Sequence, residues 1–268
     1  MADGTKFGPF EVYAVRLGQV GRAAKDNFLN SRDLEGVMVM DFDMWFLRRD
    51  DLVIAVDTGM SDRAGPQRGR QLDITPGDAA EALGIDPKTV TDLIITHLHY
   101  DHAGRIDEFP AAQVWLQEKE IEYALGPDMG HPSLNHFFDV DDLKIVLDRI
   151  FASSVTAVRG TATVSPGVEL HLIGGHTRGL QVVRVYTERG WLVLASDALH
   201  YYANYDRRDP FPAVVDLPQM LDGYLRIATL ADTADHIIPG HDPLVMQRYG
   251  SDDLPEGVVA LHRAPRKL

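Results

Sequence analysis

The 268-residue sequence contains no cysteine. This absence excludes disulfide bridges, thiolate metal ligands and cysteine nucleophiles together. Basic residues are also few, since the chain has 26 lysines and arginines but 40 aspartates and glutamates, which gives a formal net charge of -14. A strongly acidic surface repels phosphate backbones. We therefore do not expect this protein to bind nucleic acid.

Long apolar segments are absent as well, since no run approaches the roughly 18 residues that a membrane-spanning helix needs. The first ten residues, MADGTKFGPF, lack the basic and apolar regions of a secretory signal. These two absences predict a cytoplasmic protein that does not associate with membranes. Apolar residues make up 45% of the chain, as in ordinary globular proteins, and no repeat or linker divides it. The sequence therefore predicts one domain over residues 1–268.

Apolar segments that alternate with helical patterns indicate a mixed α/β fold. The predicted strands cover 37–47, 52–56, 90–96, 114–117, 168–173, 181–186, 191–195 and 236–239. One helix is predicted to begin at Pro76 with Thr75 as its N-cap, and others cover 118–125, 141–151 and 217–231. The Gly- and Arg-rich segment 61–71 is predicted to be a loop. Segments near 126–152 and 200–218 are predicted insertions that form a lid or pocket wall.

The motif HLHYDH, residues 97–102, directly follows a predicted strand. Three imidazoles and a carboxylate within six residues suit a divalent metal that accepts nitrogen and oxygen ligands. His176, Asp197 and His241 each follow another predicted strand, so they are expected at the same edge of the fold. Five histidines and two aspartates are too many for one tetrahedral ion, and they predict a site for two metal ions.

These motifs, together with GGHTRG, SDALH and PGHD, resemble those of the metallo-β-lactamase superfamily, and within it the N-acyl-homoserine-lactonase-like metallohydrolases. The resemblance implies a four-layer αββα sandwich with two divalent ions at one edge. Zn²⁺ is the expected metal, with Mn²⁺ and Fe²⁺ as alternatives. It also implies a ligand set of His97, His99 and His176 for the first ion, Asp101, His102 and His241 for the second, Asp197 as a bridge, and Asp57 as the residue that orients a ligand histidine.

The activity that the resemblance implies is the opening of a lactone ring by a hydroxide held between the two metal ions. Asp101 is a candidate proton shuttle in this reaction. Related lactonases commonly place a tyrosine three residues after the bridging aspartate, whereas this chain has His200 there, followed by Tyr201. We therefore expect either His200 or Tyr201 to donate a hydrogen bond to the substrate carbonyl.

The two predicted insertions supply the candidate pocket residues. Aromatic walls with a few polar groups suit a small, partly apolar lactone or related ester as the substrate. An arginine in the second insertion could also bind a substrate carboxylate. The sequence leaves open whether the chain forms a homo-oligomer. The predicted pocket residues are His136, Phe137, Phe138, Tyr202, Arg207 and Phe211.

Other functions remain open on this ligand set. A glyoxalase-II-like thioesterase, or another ester or amide hydrolase, would use the same two ions. A true β-lactamase fits less well, because one main class needs a cysteine and others lack an aspartate equivalent to Asp197. A flavin-dependent di-iron oxidoreductase would have Glu in place of His99, and a nuclease conflicts with the acidic charge. A metal-binding scaffold without activity is a remote alternative, since such proteins usually lose ligands.

Overall fold

The computed structural model describes residues 7–31 and 33–266, and two β-sheets form the centre of the fold. In the first sheet, β3 to β6 are parallel, while β12, β1, β2 and β3 pair antiparallel. The first sheet contains, in spatial order, β12 (Val258–Ala260), β1 (Glu11–Ala23), β2 (Val37–Arg49), β3 (Leu52–Val56), β4 (Asp92–Ile94), β5 (Gln113–Gln117) and β6 (Val155–Val158).

The second sheet is mostly antiparallel, and β10 and β11 are its parallel pair. It contains, in spatial order, β11 (Ile237–Pro239), β10 (Gly190–Ser196), β9 (Gln181–Thr187), β8 (Val168–Leu172) and β7 (Thr161–Ser165). The helices are α1 (Ala64–Gln67), α2 (Pro76–Ala82), α3 (Glu118–Ala124), α4 (Pro132–Asn135), α5 (Val140–Phe151), α6 (Tyr202–Arg207), α7 (Leu217–Leu230) and α8 (Leu244–Tyr249). Among the described residues, no helix has the length and apolarity needed to cross a bilayer.

Side-chain alternation along the strands builds three apolar layers. In β2, Met44 and Phe46 pack in the cluster that contains residues of α2 and α5, whereas Trp45 and Leu47 pack between the two sheets. Successive side chains of a strand point to opposite faces, which explains the alternation. On the far side of the second sheet, α7 contributes Met220 and other apolar residues to a third cluster. Helices therefore cover both outer faces of the paired sheets, and the predicted αββα sandwich is confirmed.

Most predicted elements are present, with small changes at their ends. The N-cap prediction is confirmed, because Thr75 Oγ1 accepts a hydrogen bond from the backbone N–H of Asp78 at 3.2 Å. The predicted strand 90–96 is shortened to β4, which ends at Ile94, and the predicted loop 61–71 contains the one-turn helix α1. The predicted insertion near 126–152 contains the additional one-turn helix α4.

The longest strand missing from the sequence prediction is β1. A β-bulge between Arg16 and Gly18 shifts its register against β2, so the period-two pattern changes phase in the middle of the strand. A side chain at Gly18 would place its Cβ 2.6 Å from the carbonyl oxygen of Gln71, which explains why glycine stands there. Strands β6, β7 and β12 and helix α8 were also not predicted. The single-domain organisation over residues 1–268 stays a prediction.

Candidate metal centre

The predicted ligands lie where four strands end at one edge of the sandwich. The HLHYDH segment follows β4, and His176 follows β8 after Gly174 and Gly175, which both have positive φ. Asp197 comes directly after β10, and His241 comes two residues after β11. Gly175 is required by close packing, because a Cβ there would lie 2.5 Å from the Cα of Met220.

The seven side chains form two neighbouring groups. The ligand atoms of His97, His99, His176 and Asp197 lie within 4.8 Å of one another, and so do those of Asp101, His102 and His241. A third group of the same kind combines Asp197 and His241 with His200. The structure therefore brings together all seven residues that the sequence analysis selected, and it adds His200.

Asp197 lies between the two groups. Its Oδ2 is 3.1 Å from Nε2 of His176 and 3.7 Å from Nε2 of His97. Its Oδ1 is 2.8 Å from Nε2 of His241 and 3.1 Å from Nε2 of His102. Each carboxylate oxygen thus faces imidazoles of a different group, which is the arrangement that a bridging ligand requires.

The donor atoms fit divalent metal ions. His97 Nε2 and His102 Nε2 are buried and have no hydrogen-bond partner among the described residues. A buried polar atom without a partner costs about 1–3 kcal/mol, so such atoms in a native protein call for an explanation. Imidazole nitrogens and carboxylate oxygens, with no thiolate, are ligands for Zn²⁺, Mn²⁺ and Fe²⁺. Binding of divalent ions would give both of these buried nitrogens a partner.

Hydrogen bonds at Nδ1 turn several imidazoles toward this point. His176 Nδ1 lies 2.7 Å from the carbonyl oxygen of Ala213, and His241 Nδ1 lies 2.6 Å from that of Asp41. A carbonyl oxygen can only accept, so Nδ1 carries a proton in both rings and Nε2 is the nitrogen that faces Asp197. The neutral form of such a ring has its lone pair on Nε2, as a metal ligand needs.

Asp57 orients His102 through the same type of contact. Its Oδ2 lies 2.9 Å from His102 Nδ1 and accepts from Thr96 Oγ1 at 2.8 Å, while its Oδ1 accepts from Thr96 N at 2.7 Å. Asp57 has a φ of 61°, an uncommon conformation for a residue other than glycine, and it is fully buried. The contact predicted between Asp57 and a histidine of the motif is therefore present in the structure.

Burial and the neighbouring imidazoles set the charge of the site. Burial, followed by the neighbouring His102 and His99, holds the pKa of His97 well below its usual value, so this ring is neutral. Burial opposes ionisation of Asp197, but the imidazoles around it, His200 first, hold its pKa well below the ordinary range. The ionised carboxylate acts in turn on the histidines of the other group, because burial opposes protonation of His102 and His241 but Asp197 raises the pKa of both.

Glu120 is a buried residue of the site that the sequence analysis missed. Its Oε1 accepts a hydrogen bond from Leu98 N at 2.9 Å, and its Oε2 accepts from Gly179 N at 2.9 Å and from Thr177 Oγ1 at 2.6 Å. One side chain on α3 therefore joins the loop of His97 and His99 to the loop of His176. The only sequence signal was a glutamate at a core position of a helix.

His200 lies in the site, and Tyr201 does not. Nε2 of His200 is 3.1 Å from Asp197 Oδ2, and its ring stacks on Phe211 with 3.8 Å between centroids. Burial lowers the pKa of His200 to about 3, so its single proton is placed on Nε2 when it donates to Asp197. Nδ1 then carries only a lone pair. Tyr201 is fully buried in an apolar cluster with Tyr100 and does not line the cavity.

A cavity of about 300 Å³ opens over the metal-ligand groups. His136, Phe137 and Phe211 line it, as predicted, and the ring of Phe137 stacks on His99 at 4.9 Å. Met40 also lines the cavity.

Three of the predicted pocket residues do not line this cavity. Phe138 touches His99 edge-on but packs in the apolar core and not in the cavity wall. Tyr202 lines a separate cavity beside Arg248, and Arg207 lies over the ring of Phe28 at 5.4 Å. The reason is that the segment after Tyr201 forms helix α6, in which successive side chains point in different directions.

The cavity instead contains three arginines that were not predicted. Arg22 comes from β1, whereas Arg68 and Arg70 come from the segment after α1. All three are partly buried. They lie far from the histidine motif in sequence, and two of them are in the segment 61–71, which the sequence analysis predicted to be a loop.

The αββα sandwich with a histidine- and aspartate-rich edge defines the class of protein, and a family comparison agrees with it. The model of the metallo-β-lactamase superfamily matches residues 43–241. The chain belongs to this superfamily.

Curated relatives narrow the comparison further. The N-acyl homoserine lactonase AttM of Azorhizobium caulinodans is 29% identical over 167 residues, which are 61% of this chain and 62% of that protein. The match thus spans less than two thirds of that lactonase. An N-acyl homoserine lactonase of a Bacillus species is 27% identical over 259 residues, which are 88% of this chain and 95% of that protein.

Solved structures share the fold. An N-acyl homoserine lactone hydrolase with the product N-hexanoyl-L-homoserine bound at its catalytic metal centre superposes with a TM-score of 0.74 and 22% identity, covering 90% of this chain and 96% of that one. AidC, a dizinc quorum-quenching lactonase, superposes with a TM-score of 0.69 and 16% identity, covering 98% and 96%.

Proposed function

We propose that this protein is a metal-dependent hydrolase that opens a lactone ring. The observation that carries the proposal is Asp197, which faces imidazoles of two separate ligand groups at the floor of a partly aromatic cavity. Relatives named as N-acyl homoserine lactonases, one of them similar along most of its length, support a cyclic ester as the substrate.

Two divalent ions, most simply Zn²⁺, are the proposed cofactors. His97, His99 and His176 would hold the first ion, Asp101, His102 and His241 the second, and Asp197 both. The dizinc centre named for AidC supports this choice of metal. When bound, such ions lower the pKa of water to about 7 and polarise an ester carbonyl.

The chain itself would position the substrate and move the proton. Asp101 lines the cavity and is the only one of the seven residues that is partly exposed, so its carboxylate is the proposed acceptor for the proton of the attacking water. His200 would hold Asp197 through its Nε2–H, because its Nδ1 lone pair cannot donate to a carbonyl oxygen. Phe137 and Phe211 would contact the apolar part of the substrate and exclude water.

A substrate panel with the metal-reconstituted protein tests the proposal. We expect a neutral aryl lactone to be hydrolysed with a higher kcat/KM than the matching thioester, a phosphodiester or a β-lactam. Asp197→Ala should remove this activity, whereas Asp222→Ala, at an exposed position of α7, should retain it. If the thioester had the highest kcat/KM, the proposed activity would be that of a thioesterase and not of a lactonase. Lack of turnover across the panel would refute the hydrolase proposal.

A further inference from the structure

Arg22 and Arg70 form an unusual pair of charges at the cavity of the candidate metal centre. Both line the cavity and are partly buried. Burial lowers the pKa of Arg22, and the charge of Arg70 lowers it further, in keeping with the place of both side chains in the wall of the same cavity. Within the described part of the chain, neither forms an ion pair with a carboxylate. Two neighbouring cations thus lie together in a chain whose net charge is -14.

Most of the hydrogen-bond donors of these two arginines are free of protein acceptors. Arg22 donates to the carbonyl oxygen of Asp26 at 3.0 Å, and Arg70 donates to that of Arg68 at 2.7 Å. Each guanidinium has five N–H groups in a planar fork that matches a carboxylate. The remaining donors of both side chains are therefore available to a bound molecule.

Arg68 has a different role, although it lines the same cavity. Its guanidinium donates to the carbonyl oxygens of His136, Phe138 and Ala64, and it covers the ring of Tyr100 at 4.4 Å. These bonds use its donors to hold the segment that carries Phe137. Arg68 is therefore a positioning residue for the cavity wall and not part of the free pair.

Tyr100 completes the polar end of the cavity. It lines the cavity together with Arg22, Arg68 and Arg70, and the guanidinium group of Arg68 lies over its ring at 4.4 Å. Its phenol hydroxyl can donate a hydrogen bond. Arg22 also lies over Phe211 at 4.7 Å, and Phe211 stacks on His200 beside Asp197. This stack connects the arginine pair with the metal-ligand groups along one wall.

We propose that the substrate is an anionic lactone, whose carboxylate binds Arg22 and Arg70 while its ring lies along Phe211 with the ester at the metal-ligand groups. This inference rests on the proposed lactonase function and specifies its substrate class. Like-charged side chains that form no ion pair with a carboxylate repel each other in the free protein, and a bound anion offsets this repulsion. A neutral lactone would leave both guanidinium groups unpaired when it fills the cavity.

The test compares two substrates that differ only in this charge, phthalide-5-carboxylate and phthalide-5-carboxamide. For the wild-type protein we expect kcat/KM to be about 10- to 100-fold higher for the carboxylate, as charge-assisted hydrogen bonds give. The preference should decrease with added salt. The ratio of the two kcat/KM values should approach one in the variants Arg22→Met and Arg70→Met. Arg207→Met is the matched control, because Arg207 lies outside the cavity, and it should keep the full preference.

A binding measurement separates this inference from the lactonase proposal. Phthalan-5-carboxylate lacks the lactone carbonyl and cannot be hydrolysed, so calorimetry can measure its affinity for the metal-loaded protein directly. We expect it to bind about tenfold or more tightly than phthalan-5-carboxamide, and Arg22→Met to remove the difference. Arg22→Lys, which keeps the charge, should retain part of it.

The outcomes of the two measurements are distinct. Equal affinities of the two phthalans for the wild-type protein would overturn the anionic-substrate inference, even if neutral lactones are hydrolysed. A preference that survives in both Met variants would overturn it as well, since the anion would then bind elsewhere, for example at the metal ions. A preserved binding preference without hydrolysis of any lactone would refute the lactonase function and leave the anion site in place.

Discussion

Replacing Glu120 by glutamine tests the link between the two ligand loops. The amide keeps the size of the side chain but offers one acceptor oxygen, whereas Leu98 N–H and Gly179 N–H point at different oxygens of the carboxylate. One of these buried N–H groups must then face the amide NH₂. An unsatisfied buried donor costs about 1–3 kcal/mol of folding free energy. Because the lost hydrogen bond is to a charged group, we expect a loss in the upper half of this range, at about 2–3 kcal/mol.

For a chain of this size, 1 kcal/mol shifts the melting temperature by roughly 2–4 °C, so Glu120→Gln should melt about 4–12 °C lower. Urea unfolding of the metal-loaded protein gives the free energy directly. Glu120→Ala removes all the acceptors and should cost more. Glu122→Gln on the same helix is exposed and should change little. If Glu120→Gln unfolded like Glu122→Gln, the carboxylate would not hold the loops together and our interpretation would be wrong.

Two further predictions concern carboxylates outside the ligand set. Asp57→Asn leaves one acceptor oxygen for Thr96 and His102, and we expect metal affinity to fall about 10- to 100-fold in a chelator competition assay. Burial and the neighbouring Asp139 raise the pKa of Asp142 to about 7 from an ordinary value of 3.8, so folding favours its protonated form. The wild-type protein should therefore lose stability from this group as the pH rises from about 4 to about 7. Above this range Asp142→Asn should be more stable than the wild-type protein by about 1–2 kcal/mol, and below it the two should be equally stable.

Each of these predictions has a matched control. Asp51→Asn lies at an exposed turn and should keep wild-type metal affinity, so an equal loss in both variants would contradict the role of Asp57. Asp148→Asn lies at an exposed position of α5 and should show no pH-dependent difference. A stability difference between Asp142→Asn and wild type that does not change across the pH range would contradict the raised pKa.

The sequence contained enough information to predict the αββα fold and the residues that meet at its edge. Ligands that directly follow buried strands are visible as local patterns, and the ends of those strands meet in any sheet of this type. For this reason the sequence analysis could select the residues that meet in the structure, namely HLHYDH, His176, Asp197 and His241. The strands that were missed are short or, like β1, contain a bulge that interrupts their alternation.

The residues that the sequence analysis missed act through tertiary contacts. Glu120 is 22 positions from Leu98 and 59 positions from Gly179, and nothing local distinguishes it from other acidic residues. Arg22 reaches the cavity from a strand that was not predicted, and Arg70 from a segment whose composition indicates an ordinary loop. Arg207 shows the converse, because it is close to His200 in sequence but lies outside the cavity, over the ring of Phe28.

Anomalous diffraction from crystals of the metal-reconstituted protein, with the metal content of the same sample, tests the central claim most directly. We expect two divalent ions per chain, one beside His97, His99 and His176 and one beside His102 and His241, with Asp197 in contact with both. A single ion, or an Asp197 carboxylate that contacts neither ion, would contradict a two-metal hydrolase centre.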